Sequence, residues 1–155
     1  MKVSRLYVET SVIGGCFDQE FAPWSNSLMQ DFRRGLFLPI LSDVTAAEVE
    51  SAPENVRRLH TELLSISSEV MSVDAEALDL LSAYQARSVL GNRFRIDMLH
   101  VALATIAEVD VLVSWNYRHL LRLDRIRLFN AVNLELGYKP LAIHSPREVS
   151  TYETE

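Results

Sequence analysis

Short apolar runs alternate along this chain with longer stretches whose apolar residues recur at helical spacing, and that alternation restricts the fold more than any other feature. Residues 5 to 8 (RLYV), 36 to 41 (LFLPIL) and 111 to 113 (within DVLVSW) read as buried strands, each bounded by turn or polar residues. Pro39 argues for an edge or strand-end position in the second. Between them lie helical patterns. Asp74 is placed to cap a helix in which Leu78, Leu81 and Tyr84 recur at helical spacing, with Gly91 as its stop. Residues 96 to 107 (IDMLHVALATIA) set Leu99, Ala102, Leu103 and Ile106 on one side. Ser145-Pro146-Arg147-Glu148 supplies an N-cap, a proline at the first helical position and the glutamate of a capping box. Strands interleaved with helices predict an α/β fold, a mostly parallel sheet with helices on both faces. With 155 residues, 48% of them hydrophobic, the chain is expected to form a single domain over 1–155.

The first strand runs into Glu9, Thr10 and Ser11 in RLYVETSVIGGC. A buried carboxylate without a partner costs several kcal/mol or gives up its charge, so Glu9 needs either water or partners. In open parallel sheets ligands bind at the carboxyl ends of strands, where Glu9 falls. Asn116 lies just past DVLVSW, Glu48 beyond the second strand in SDVTAAEVE, and Asp97 in the first turn of the 96 to 107 helix. Each residue also has a local explanation. Glu48 completes Thr45-Ala-Ala-Glu48, a capping box; Asp97 suits a helix N-terminus; Thr10 and Ser11 suit a cap; Asn116 suits a turn. His100 and His119 read as structural histidines, because no second His or Cys sits at zinc-ligand spacing. Trp115 reads as packing, and the helical segment 24 to 34 as either core or a partner-binding face.

Carboxylates brought into one pocket raise each other's pKa unless a cation neutralises them. Oxygen ligands suit magnesium or manganese, ions that hold phosphate oxygens and support phosphodiester hydrolysis. The net charge of −6 counts against a domain-wide basic footprint for nucleic acid. Local contact remains open to Arg93, Arg95, Arg118, Arg122, Arg125 and Arg127, which flank Asp97 and Asn116 in sequence; the alternative is a solvated helical face paired with Asp124. Cys16 is the single cysteine, expected as apolar filler, which suits a reducing cytoplasm. No apolar run is long enough for a membrane span or a secretory leader.

YVETS, the acid in SDVTAAEVE, DMLHVALA, LVSWNYRH and the tail NLELGYKPLAIHSPREV together resemble the PIN-domain nucleases, a family that includes the VapC-type toxins of toxin–antitoxin pairs. The resemblance implies an α/β/α sandwich and a magnesium- or manganese-dependent ribonuclease acting on RNA, with an antitoxin protein and a homodimeric state as possible partnerships. Carried over by position, the metal ligands are Glu9, Glu48 and Asp97, Asn116 stands where many members have a fourth acid, and Ser11, beside Thr10, helps order the site. Arg95, Arg118 and Arg122 are the expected RNA contacts. Glu9 stands where most members have Asp, and Asn116 removes one charge, so the expectation is one bound metal until substrate arrives. The alternative is a PIN-like module too weak for catalysis that acts through protein or RNA contacts. An aspartyl-phosphate mechanism ranks low, because Glu9 stands where its nucleophile would be.

Overall fold

The computed structural model describes residues 2–67 and 69–153. In chain order the elements are β1 (Ser4–Val8), α1 (Thr10–Gly15), α2 (Ala22–Arg33), β2 (Phe37–Ser42), α3 (Asp43–Glu50), α4 (Glu54–Ile66), β3 (Glu69–Met71) and α5 (Ala75–Ala86). A single 3₁₀ turn (Asn92–Phe94) leads into α6 (Arg95–Ile106), followed by β4 (Val111–Val113), α7 (Leu123–Glu135), β5 (Ile143–His144) and α8 (Pro146–Val149). The strands form one parallel sheet in the order β3-β2-β1-β4-β5, so β1 is central. This is the α/β/α sandwich predicted above.

Alternation along β1 builds the two faces. Leu6 and Val8 pack with Leu41, Val113 and the apolar residues of α1, α2 and α4. Tyr7 points the other way and packs with Ile40, Leu112, Ile143 and the residues of α5, α6 and α7. Helix α3 bridges the layers, placing Val44 in one core and Val49 in the other. Leu28, Met29 and Phe32 of α2 are buried, which assigns that face to the core.

Several expectations shift in detail. Asp74 does cap α5, its Oδ1 accepting from Ala77 N at 2.9 Å, but the helix ends at Ala86, with Ser88 in the left-handed region at φ 53°. Gly91 therefore stops nothing; it has φ −63° and precedes the 3₁₀ turn. Leu78 is 41% exposed, and Ala77 and Leu80 take its place in the core with Leu81 and Tyr84. Helix α6 is buried continuously from Met98 to Thr105 rather than on one side, because it lies between the sheet and α5. β2 is an inner strand. Pro39 fits there because the pairing with β3 begins only at Ile40, leaving Pro39 paired with β1 alone. At the far end Glu148 Oε1 accepts from Ser145 N at 3.1 Å, as a capping box requires. Among the described residues no helix is long and apolar enough to cross a membrane.

Candidate metal centre

The centre starts where β1 stops. Glu9 N still donates to Val113 O (3.1 Å), continuing the pairing with β4 by one residue, and Glu9 then becomes the N-cap of α1. Its Oε2 accepts from Ser11 N (2.9 Å), and its Oε1 accepts from Ser11 Oγ (2.6 Å) and Ser114 Oγ (2.5 Å). Thr10 and Ser11 are thus not the caps; the carboxylate before them is. A buried acid, only 6% exposed, is held by three donors and, among the described residues, by no cation. Ser11 orders the surroundings too, because its Oγ accepts from Trp115 N at 2.9 Å. Gly15 permits this packing: a Cβ there would lie 2.6 Å from Trp115 Nε1, which donates to Ser25 Oγ.

Glu48 is delivered by α3. The cap of that helix is Ser42, whose Oγ accepts from Thr45 N at 3.2 Å, so Thr45 is already inside the helix and the Thr45–Glu48 capping box does not form. Glu48 is free to reach inward instead. Its Oε1 accepts from Thr10 Oγ1 (2.6 Å) and pairs with His100 Nε2 (2.7 Å). Burial alone would raise the Glu48 carboxyl, but the bonds from His100 and Thr10 outweigh it and hold the pKa below the usual range. His100, buried on α6, also meets the Tyr7 hydroxyl through Nδ1 at 2.7 Å, and Tyr7 meets Ser42 Oγ at 2.7 Å. Burial drives the Tyr7 hydroxyl to a strongly raised pKa, so it stays protonated. With Glu48 ionised, the consistent arrangement has Tyr7 donating to Nδ1 and His100 donating from Nε2 to Glu48.

Asp97 sits in the first turn of α6, and its Oδ2 lies 3.0 Å from His119 Nδ1. Its pKa is raised, first by burial and then by the negative charge of Glu9, with His119 offsetting part of the effect. That coupling places Asp97 in the field of Glu9. Ligand atoms of Glu9, Glu48 and His100 all lie within 4.8 Å of one another, so the group among the described residues includes the histidine and leaves Asp97 outside it. Both nitrogens of His100 are engaged, which leaves carboxylate oxygens as the donors. Among the described residues Glu48 Oε2 and Asp97 Oδ1 receive no hydrogen bond. An oxygen-rich donor set with spare carboxylate oxygens and no Lys or Arg partner fits a hard divalent ion such as magnesium or manganese.

Asn116 shares a cavity of about 500 Å³ with Glu9 and Ser11, but its Oδ1 accepts from His119 N at 3.0 Å, forming a turn. Arg118 and Arg122 line a separate cavity nearby, whereas Arg95 is exposed and outside it. Trp115 is packing, stacked on Phe21 at 4.3 Å. Tyr7, Ser114, His100 and His119 escaped the sequence reading as site residues. For His100 a signal existed: it follows Asp97 by three positions, so on a helix the two share a face.

No protein-family model matches this sequence, and no curated protein matches it. Among solved structures the chain is similar to one from Rickettsia felis, VapBC2 bound to a DNA fragment from their promoter, with a TM-score of 0.53 and 12% identity. The match covers 91% of this chain and 98% of that one. At that identity the likeness concerns the fold, and it supports a PIN-like sandwich.

Proposed function

We propose that this chain is a magnesium- or manganese-dependent endoribonuclease of the PIN type, the toxin of a toxin–antitoxin pair working in the cytoplasm. The observation that carries the reading is the convergence of Glu9, Glu48 and His100 at the carboxyl edge of the sheet. The likeness to a VapBC complex supports an antitoxin as partner, and a second copy of the chain is the other expected partner. Glu9, Glu48 and Asp97 would hold the ion. When bound it supplies Lewis-acid polarisation of the scissile phosphate and a more acidic attacking water. Ser11 and Ser114 fix the Glu9 carboxylate, and His119 orients Asp97. His100 keeps Glu48 ionised and aimed, holding its own proton on Nε2.

A second reading, a PIN-like binding module without useful catalysis, is favoured by one detail. The Asn116 amide oxygen already accepts from His119 N and carries no charge, so a second ion gains less from it than from a carboxylate. Manganese titration by calorimetry, beside cleavage of a structured RNA by wild type and Asp97→Asn, separates the two. The nuclease reading expects one manganese at sub-millimolar affinity and cleavage reduced at least about 100-fold in Asp97→Asn. Unchanged cleavage in the variant removes Asp97 from the site, and manganese binding without cleavage of any RNA favours the binding module.

A further inference from the structure

One cavity beside the carboxylate cluster has a composition opposite to that of the whole chain. Its volume is about 530 Å³, within the range of small-ligand pockets. Arg93, Arg118, Arg122 and Arg125 line it together with Phe94 and Tyr117. Among the described residues no Asp or Glu lines it, although the chain has 21 acids against 15 Lys and Arg. Four of those cations therefore converge on one cavity of an acidic protein.

The four arginines are differently engaged. Arg125 is anchored by Nη1 donating to Val89 O at 2.8 Å, and its buried Nε, without a hydrogen bond, lies 4.0 Å from Asp124 Oδ2. Arg122 shares Asp124 at 2.9 Å on the exposed rim. Arg93 lies over the Phe94 ring at 4.7 Å from its centroid. The side chain of Arg118 is in no ion pair among the described residues, and Tyr117 beside it is 52% exposed. Phe94 also carries the His119 ring at 3.8 Å, and His119 holds Asp97. A wall of this cavity is thus continuous with the carboxylate cluster.

We propose that the cavity is the subsite for one nucleotide of a single-stranded RNA next to the scissile bond, with its phosphate on the arginines and its base stacked on Tyr117. The inference rests on the nuclease reading for the identity of the strand. Guanidinium forks match phosphate oxygens, which accounts for the arginines. Exposed aromatic rings interleaved with cations are what unpaired bases stack on, and a stacked duplex has no free base to offer. An acidic peptide would satisfy the charges but would leave uncovered the exposed part of Tyr117, whose ring centroid lies 6.3 Å from that of Trp115.

Fluorescence anisotropy tests this with a labelled single-stranded RNA of about eight nucleotides, in EDTA so that no cleavage intervenes. The expected result is salt-sensitive binding that weakens about tenfold in Tyr117→Ala and in Arg118→Ala. Both residues are exposed, and circular dichroism checks that both variants fold. The matching duplex should bind more weakly than the single strand. Equal binding of RNA by both variants and wild type overturns the subsite, as does tighter binding of an acidic octapeptide than of RNA. Manganese affinity, measured separately by calorimetry, should be the same in wild type and both variants. If wild type binds manganese and the RNA binds elsewhere, the subsite fails while the nuclease reading stands; RNA bound here without any manganese binding does the reverse.

Discussion

The two ends of β1 treat charge in opposite ways. At its amino end Arg5 is saturated: its guanidinium pairs with Glu69 and donates from Nη1 to Ala107 O (2.9 Å) and Glu108 O (3.3 Å), while its backbone N donates to Asp110 at 2.7 Å. At its carboxyl end Glu9, Glu48 and Asp97 have, among the described residues, only hydroxyls, histidines and backbone groups for partners. The first end is an electrostatic clamp joining β3, β1 and the turn before β4. The second is left short of positive charge, an imbalance met more often at functional sites than at structural ones. The difference separates residues that hold the sheet together from residues that the fold merely tolerates.

Exchanging the two ends should therefore dissociate stability from activity. Glu9→Gln should lower RNA cleavage by at least about 100-fold while costing only about 0.5–1 kcal/mol of stability, because one amide oxygen remains to cap α1. Arg5→Ala should cost about 1–2 kcal/mol, a drop of about 3–6 °C in Tm, and leave manganese binding intact. If thermal melts and calorimetry show both variants losing both properties, the contrast between the ends collapses.

A smaller effect sharpens the role of His100. His100→Leu should weaken manganese binding about 10- to 100-fold, measured by calorimetry, because Glu48 loses the donor that aims it. An undiminished affinity would show that Thr10 suffices to hold Glu48.

The smallest effect concerns Asp97 without metal. Its pKa is raised in the fold, so its ionised form costs stability, and that cost is absent at low pH and grows as pH rises through the folded value. Asp97→Asn should raise the metal-free Tm by about 1–3 °C at pH 7, with the gain vanishing below about pH 3.9. A melting series from pH 3 to 7 in EDTA reads this out. Glu48 runs the other way: its lowered pKa contributes stability at neutral pH that is lost on acidification.

The parts of this structure that were legible in the sequence are those written in contiguous residues. RLYV, LFLPIL and VLV announce three strands by hydrophobicity alone, and the Asp74 and Ser145 caps are local chemistry. β3 and β5, with three and two residues, carry no such signal; each is a strand only because a neighbour supplies the register. Thr45 misled because Ser42, at the end of β2, takes the capping position three residues earlier. The carboxylates could be placed at one sheet edge by topology, but their partners could not. His100 meets Glu48 across 52 positions, and His119 meets Asp97 across 22, distances over which spacing says nothing.

The column from Ser42 through Tyr7 to His100 has a further meaning for how the chain matures. Glu9 follows Tyr7 by two positions, just past the end of β1, and Tyr7 pairs with Ile40 in the register that brings Ser42 within reach. A slip of one residue would turn Tyr7 and Glu9 to the opposite face together. The hydroxyl column and the first carboxylate would disappear in a single error, so a misregistered chain loses both together rather than keeping a half-assembled centre.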